Sequence, residues 1–314
     1  MTENLNMYKK SGLILMNMAR DLFLAEPDEQ IPTIYDYTQR FSVSRGIVQS
    51  AIERLQEDGG IGLEKRGVKG TFLRQRDFSK LHPFTGWSAV TGTMPVPLNP
   101  LLTSLATGIC QVMNKAPFPF SFAYVSGSEK RLEALERGIY DFIVLSKSAA
   151  QLYLERDPEL VLCAELPGSV YSLGYVVYFT DTGKHAIEDG MRVGIDPTCL
   201  DQKVLTERLC AGKKVELVEF PFIGFEDLVR DSRVDCVVYR SVGWKGGPEL
   251  TPLLREEALP EVPGFSEEET VTPVILVRKE NYGMDRLLRK YMDTAAVRQI
   301  QKQVLDGSRA MKFY

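Results

Sequence analysis

The chain has 314 residues, 44% hydrophobic and 25% charged, which makes it a globular protein long enough for more than one domain. Its formal net charge of −4 excludes a nonspecific nucleic-acid binder, so any DNA contact must come from a local basic patch. Cys110, Cys163, Cys199, Cys210 and Cys236 show no CxxC spacing, so neither disulfides nor a zinc site is expected. With no signal-peptide pattern and no apolar run of transmembrane length, a cytoplasmic location is expected.

In chain order, Leu15, Met18, Ala19 and Leu22 form an amphipathic stripe that predicts a helix packed beneath the next module. Glu26-Pro27-Asp28-Glu29 reads as a turn. Thr33, with Asp36 three residues on, has the spacing of a capping box and starts a second helix. Phe41-Ser42-Val43 interrupts it. From Ser44, a second N-cap candidate, Val48, Ala51, Ile52 and Leu55 recur at helical spacing, which leaves Arg45, Gln49 and Glu53 outside. Asp58-Gly59-Gly60 ends that helix. Two short strands, Ile61 to Glu64 and Thr71 to Arg74, then flank a basic tip, Lys65 to Gly70.

That order is a helix-turn-helix followed by a wing. A recognition helix enters the major groove by its N-terminal turn, which requires polar donors such as Arg45 and Gln49. A wing tip beside phosphates requires charge with little bulk, as in Lys65, Arg66, Lys69 and Gly70. Amides near Ser44 suit a phosphate. Arg40 to Arg76 holds eight basic residues against four acidic ones, so the patch is local. The candidate DNA-binding set is Ser44, Arg45, Gly46, Gln49, Lys65, Arg66, Lys69, Gly70 and Thr71.

The combination of Ile31-Pro32-Thr33, Val43-Ser44-Arg45, Ala51 to Leu55, Asp58-Gly59 and Gly67 to Phe72 resembles the GntR-type winged-helix transcription regulators of bacteria. The resemblance implies binding of double-stranded operator DNA. The chain departs from it at Thr33-Ile34-Tyr35, where that family carries Ser-Glu-Arg, and at Gly46, which replaces a threonine. One arginine contact to phosphate is thereby missing from the pattern.

Behind this domain (residues 1–76), Gln75 to Pro83 is mixed in charge and aperiodic, so residues 77–86 are expected to be a linker or docking strap that makes contact through Phe78. From Trp87 the chain alternates strand, loop and helix: strands at Trp87 to Thr91, Phe120 to Val125 and Tyr140 to Leu145, with a helix after each. Further strands are expected at Val161 to Leu166 and Leu173 to Thr180. The alternation then restarts at Met191 to Ile195, with a helix opened by Asp196-Pro197-Thr198, strands at Val215 to Phe220 and Cys236 to Tyr239, and a helix at Phe225 to Asp231. A return strand, Val271 to Arg278, and one long helix, Met284 to Leu305, close the chain.

The expected fold is α/β: two lobes of parallel sheet covered by helices, the second lobe inserted between halves of the first. That order resembles the type II periplasmic-binding-protein fold, which implies that residues 87–314 close on a small ligand. The whole chain resembles the YhfZ family of bacterial regulators. In open α/β sheets ligands bind beyond the carboxyl ends of strands. The junctions there supply the candidate ligand-binding set: Thr91, Gly92, Thr93, Ser126, Gly127, Ser128, Ser146, Asp196, Thr198, Arg240 and Ser241. Hydroxyls, amides and one strand-end cation suit a small polar or anionic metabolite. Plain helix capping explains any one of these junctions taken alone. Lys130 and Arg131 read as solvated, and Trp244 as a stacking wall or a loop anchor.

Two histidines, His82 and His185, leave no multi-histidine metal site, and neither a phosphate-binding loop nor a nucleophile elbow occurs. No cofactor, metal or catalytic residue is expected. The rival readings are an enzyme on a binding-protein-like scaffold, with Cys199 near a helix N-terminus or a lobe-edge carboxylate acting, and a structural protein whose winged helix contacts a protein partner. The leading reading is a ligand-responsive regulator acting as a homodimer on palindromic DNA.

Overall fold

The computed structural model describes residues 10–221, 227, 230–241 and 254–312. The expected helix at Phe225 to Asp231 falls largely outside these residues, and Trp244 falls wholly outside. The chain forms two compact units. The first contains residues 10–91, Met113–Ser121 and Lys279–Tyr291, and the second holds the described parts of the remainder.

In the first unit, α1 (Lys10–Leu24) buries Ile14, Met18, Ala19, Leu22 and Phe23. Helix α2 (Ile34–Phe41) starts at the expected capping box, in which Thr33 and Asp36 satisfy each other's amides. Helix α3 (Arg45–Glu57) buries Val48, Ala51 and Leu55, the periodic stripe of the sequence. The hairpin of β1 (Ile61–Lys65) and β2 (Thr71–Arg76) is the wing, with a single 3-10 turn, Gly67–Lys69, at its tip.

Residues 77–86 are folded in this unit. Asp77 caps the short helix α4 (Phe78–Leu81), and the Phe78 ring meets Phe23 edge-on at 4.8 Å. The unit also contains α10 (Met284–Tyr291), far along the chain. At the centre of this packing, Asp21 is only 6% exposed. Its Oδ2 accepts from Arg40 at 2.9 Å, and its Oδ1 accepts from Tyr282 at 2.9 Å and from Arg286. A buried carboxylate is stable only with partners of this kind.

The second unit carries two five-stranded sheets. One has the order β4-β3-β5-β12-β6, built from β3 (Val90–Met94), β4 (Phe120–Tyr124), β5 (Phe142–Ser146), β6 (Leu160–Glu165) and β12 (Pro273–Arg278). The other has the order β11-β7-β10-β8-β9, built from β7 (Tyr175–Phe179), β8 (Arg192–Ile195), β9 (Glu216–Glu219), β10 (Cys236–Arg240) and β11 (Arg255–Ala258). The second lobe thus leaves the first after β6 and returns to it through β12.

Both sheets are mixed, not parallel as expected. β3 pairs parallel with β5, and β8 parallel with β9 and β10, but β12 runs antiparallel to β5 and β6, and β7 antiparallel to β10 and β11. The crossing strands enter from the other lobe, and so from the opposite direction.

Several boundaries shift for local reasons. The strand placed at Trp87 to Thr91 begins at Val90 and runs to Met94. The closing helix is two helices, α10 and α11 (Thr294–Leu305), because the Asp293 side chain accepts from Ala296 N and restarts the helix. A short helix, α9 (Glu267–Val271), precedes β12, and its three glutamates favour the positive helix end. Strand β7 is buried on both faces: Tyr175, Val177 and Phe179 pack into one core, Val176 and Tyr178 into another. The first lobe's core joins Ile143, Leu145, Val274 and Leu276 of the sheet to Leu135 of α6 (Ser128–Glu136) and to Ala149 and Tyr153 of α7 (Lys147–Arg156).

Replacing Asp21 by asparagine strips the charge that Arg40 and Arg286 face. A loss of about 3 kcal/mol is expected in urea unfolding, the lower end for a broken buried pair because both arginines are partly exposed. A loss within 0.5 kcal/mol would show that the network is not structural.

Candidate functional sites

In the first unit, Arg45 and Gln49 of α3 line one groove with Lys65, Gly70 and Thr71 of the wing, and Tyr35 of α2 stands 69% exposed at its edge. Ser44 sits at the N-cap of α3 without a side-chain capping bond, leaving its hydroxyl uncommitted to the helix. Lys10 Nζ donates to Ser42 O beside this turn, adding a cation there. Gly46 is exposed at the same turn.

Lys65 and Lys69 are exposed, whereas Arg66 is spent inside the protein: its guanidinium bonds Glu64 and Asp28 and lies over Phe72. Arg74 bonds Asp28 as well, and the two arginines hold that carboxyl below its ordinary range. Glu64 and Asp28 therefore neutralise the wing's shoulder, and its free charge is at Lys65 and Lys69.

In the second unit, one cavity of about 90 Å³ opens between the two lobes. The expected junctions divide around it. Ser126, Gly127, Ser128, Ser146 and Arg240 line it; Thr91, Gly92, Thr93, Asp196, Thr198 and Ser241 do not. Thr91, Gly92 and Thr93 lie inside β3, not after it, and the loop from Pro95 to Asn99 reaches the cavity in their place. Gly92 faces Phe142 across the β3–β5 ladder, and a Cβ built there falls 2.1 Å from the ring.

Asp196 Oδ1 accepts from the amide and hydroxyl of Thr198, a local turn that delays α8 (Leu200–Cys210) until Cys199 caps it. Thr198 packs under Gly127, whose φ of +83° disfavours any side chain, and a Cβ built there would fall 2.6 Å from the Thr198 hydroxyl. Ser241 turns away toward Glu256 at 3.4 Å.

The cavity's chemistry centres on Arg240, the last residue of β10. Its Nη2 meets Asp201 Oδ2 at 2.6 Å and Ser146 Oγ at 3.4 Å, and its Nε donates to Tyr175 OH at 3.1 Å. The Tyr171 ring lies 4.4 Å from the guanidinium carbon. Ser146 Oγ donates to Asp201 Oδ2 at 2.8 Å, a bond from the first lobe to the second. Two more such links are Leu200 N to Ser128 Oγ and Glu129 N to Thr198 O.

Burial works to raise the Asp201 carboxyl, but Arg240, Ser146, Cys199 and Tyr175 together hold it below its ordinary 3.8. Burial works to lower the Arg240 guanidinium, and Tyr175, Asp201 and Tyr171 more than offset it. Arg131, read from sequence as solvated, is 3% exposed and lines the cavity, donating to Val125 O at 2.7 Å and reaching Tyr171 OH at 3.5 Å. Asp201 and Tyr171 were also missed, since nothing in their local pattern distinguishes them from helix and loop residues.

Cys199 lines the cavity too. Burial first, then the Asp201 carboxylate, push its thiol well above the ordinary range, which opposes a thiolate nucleophile. Among the described residues no cluster of His, Cys, Asp or Glu could hold a metal ion, and no helix is long and apolar enough to cross a membrane.

Two expectations follow from this geometry. Gly92→Ala overpacks the ladder and costs about 1–3 kcal/mol in urea unfolding, a loss that Phe142→Leu relieves in a double-mutant cycle. Asp201, with its folded pKa depressed, contributes stability that is complete above about pH 4 and lost as pH falls through the folded value. Stability of the Asp201→Asn variant therefore falls less than that of the parent as the pH drops below about 4.

Comparison with known proteins agrees with both halves. Residues 28–73 match a family model described as a helix-turn-helix domain, which supports that motif without the narrower GntR-type assignment. Residues 77–313 match the model described as the YhfZ C-terminal domain. The chain is 31% identical over 303 residues to YhfZ of Escherichia coli (strain K12), covering 95% of this chain and 96% of that one. The crystal structure of YhfZ from Shigella flexneri aligns with a TM-score of 0.59 at 28% identity, over 75% of this chain and 98% of that one. The alkanesulfonate-binding protein SsuA from Xanthomonas axonopodis pv. citri, bound to MOPS, aligns at 0.51 and 12% identity over 71% and 75%, which shows a shared periplasmic-binding-protein fold alone. The chain therefore belongs to the YhfZ family, with a helix-turn-helix ahead of a binding-protein-like domain.

Proposed function

We propose that this protein is a ligand-responsive transcription regulator, in which residues 1–76 bind operator DNA, residues 77–86 connect, and residues 87–314 sense a small polar or anionic metabolite. The pairing of the two architectures supports this most: an exposed reading turn in one unit and a cavity lined by buried cations in the other. Arg45 and Gln49 read base edges, Ser44 and Gly46 bring the α3 amides to a phosphate, and Lys65 and Lys69 contact the backbone, with Gly70 and Thr71 flanking.

Arg66 shapes the wing through its pairs with Glu64 and Asp28. With few free cations per copy, binding as a homodimer on half-sites about one helical turn apart is the arrangement proposed. Ligand binding would shift the balance of DNA-bound and free protein, for which a coupling of roughly 1–3 kcal/mol suffices. The chemistry proposed is recognition without turnover, in the cytoplasm.

The test is fluorescence anisotropy with duplexes from the DNA flanking the protein's own gene, with and without cell metabolite extract. Arg45→Ala or Gln49→Ala is expected to cost about 1–3 kcal/mol on the preferred duplex and to relax its preference, while Lys69→Ala weakens preferred and random duplexes alike. Equal losses on both duplexes for Arg45→Ala would refute the reading-turn assignment. Affinity independent of salt would refute phosphate contacts.

A further inference from the structure

Resting on the proposed sensing role of this cavity, we infer that its ligand is a small monoanion with one carboxylate-like group, an uncharged and mostly apolar body, and no ammonium group. Three observations carry this. The first is unsatisfied donors. Arg240 Nη1 and Arg131 Nε are buried N–H groups without a hydrogen-bond partner, on side chains 9% and 3% exposed that both line the cavity. Buried donors of this kind call for an acceptor, and an anion satisfies a guanidinium best.

The second is charge. Among the described residues the cavity is lined by two guanidiniums and one carboxylate, so a single negative charge neutralises it and a second would overshoot. Asp201 is the one carboxylate among them, and both its oxygens are taken: Oδ2 by Arg240 and Ser146, Oδ1 by the Cys199 thiol and Gln202 N. An ammonium entering here would meet two guanidiniums and no uncommitted carboxylate, so a zwitterionic amino acid is disfavoured. The third is shape. Leu98, Leu102, Leu145 and Ala149 supply hydrocarbon wall, and about 90 Å³ is several times the roughly 10–15 Å³ that one water needs. The room suits a short aliphatic or branched chain.

The experiment compares charged compounds of four to six carbons by thermal melting of the full chain. Near saturation, 3-methylbutanoate is expected to raise the melting temperature by roughly 3–8 °C, while leucine, 3-methylbutylamine and the dianion succinate leave it unchanged. Arg131→Gln and Arg240→Gln are each expected to weaken 3-methylbutanoate binding more than 10-fold. Stabilisation by leucine or the amine equal to that by the acid would overturn the inference. So would the absence of stabilisation by every monocarboxylate from ethanoate to hexanoate. The comparison on the unaltered chain decides even if a variant fails to fold. If the acids fail but DNA affinity still responds to cell extract, the ligand class is wrong and the sensing role stands. If DNA affinity ignores extract as well, the sensing role fails.

Discussion

The second unit is arranged around a guanidinium held almost entirely out of water. A buried charge survives only where Coulombic and hydrogen-bonding partners offset its lost hydration. Arg240 finds them in Asp201, Ser146, Tyr175 and the face of Tyr171. Those partners come from both lobes: Ser146 ends a first-lobe strand, and Asp201 opens a second-lobe helix. The hydroxyl that holds Asp201 in place also helps to hold the lobes together, so the charge balance of the cavity and the closure of the cleft depend on the same bonds. Leu200, beside Asp201, reinforces this by packing into the first lobe's core. A ligand that satisfied Arg240 would act directly on the linkage between the lobes.

The same constraint recurs in the first unit with the sign reversed. There the buried group is a carboxylate, Asp21, and its partners are cations and a phenol from α2 and from the return segment. The wing shows a surface version. Arg66 and Arg74 converge on Asp28 and Glu64, so these arginines stiffen the hairpin instead of extending its positive field. A count of basic residues in the sequence overstates what such a wing presents to a phosphate, because charge is available only where it is not already paired.

Local pattern carried much of this structure. Period and capping residues located α1, α2, α3 and the hairpin, because each is specified by residues within four positions of one another. Strand-helix alternation exposed the inserted second lobe. The antiparallel direction of β12 was hidden, since direction depends on where the chain has travelled and not on side-chain period. At the cavity, Ser128, Ser146 and Arg240 could be found because each stands at a strand end or a helix start. Arg131 and Asp201 lie on helices, where a charged residue reads as solvated; Asp201 is buried against Ser146 of the other lobe, and Arg131 against Val125 O and Tyr171, contacts that no local pattern reveals. Thr91-Gly92-Thr93 shows the reverse case, a glycine that looks like a loop but makes room for the Phe142 ring within a sheet.

The membership of α10 in the first unit bears on how the protein is made. Chains leave the ribosome N-terminus first, and domains generally fold as they emerge. The helices and wing of the helix-turn-helix domain come out early, yet Asp21 must wait for Tyr282 and Arg286, which follow it by 261 and 265 residues. For most of synthesis that carboxylate has only Arg40. The first unit is therefore completed after nearly the whole second unit has been translated, and a truncated product ending before residue 279 would present a helix-turn-helix domain whose central carboxylate lacks two of its three partners.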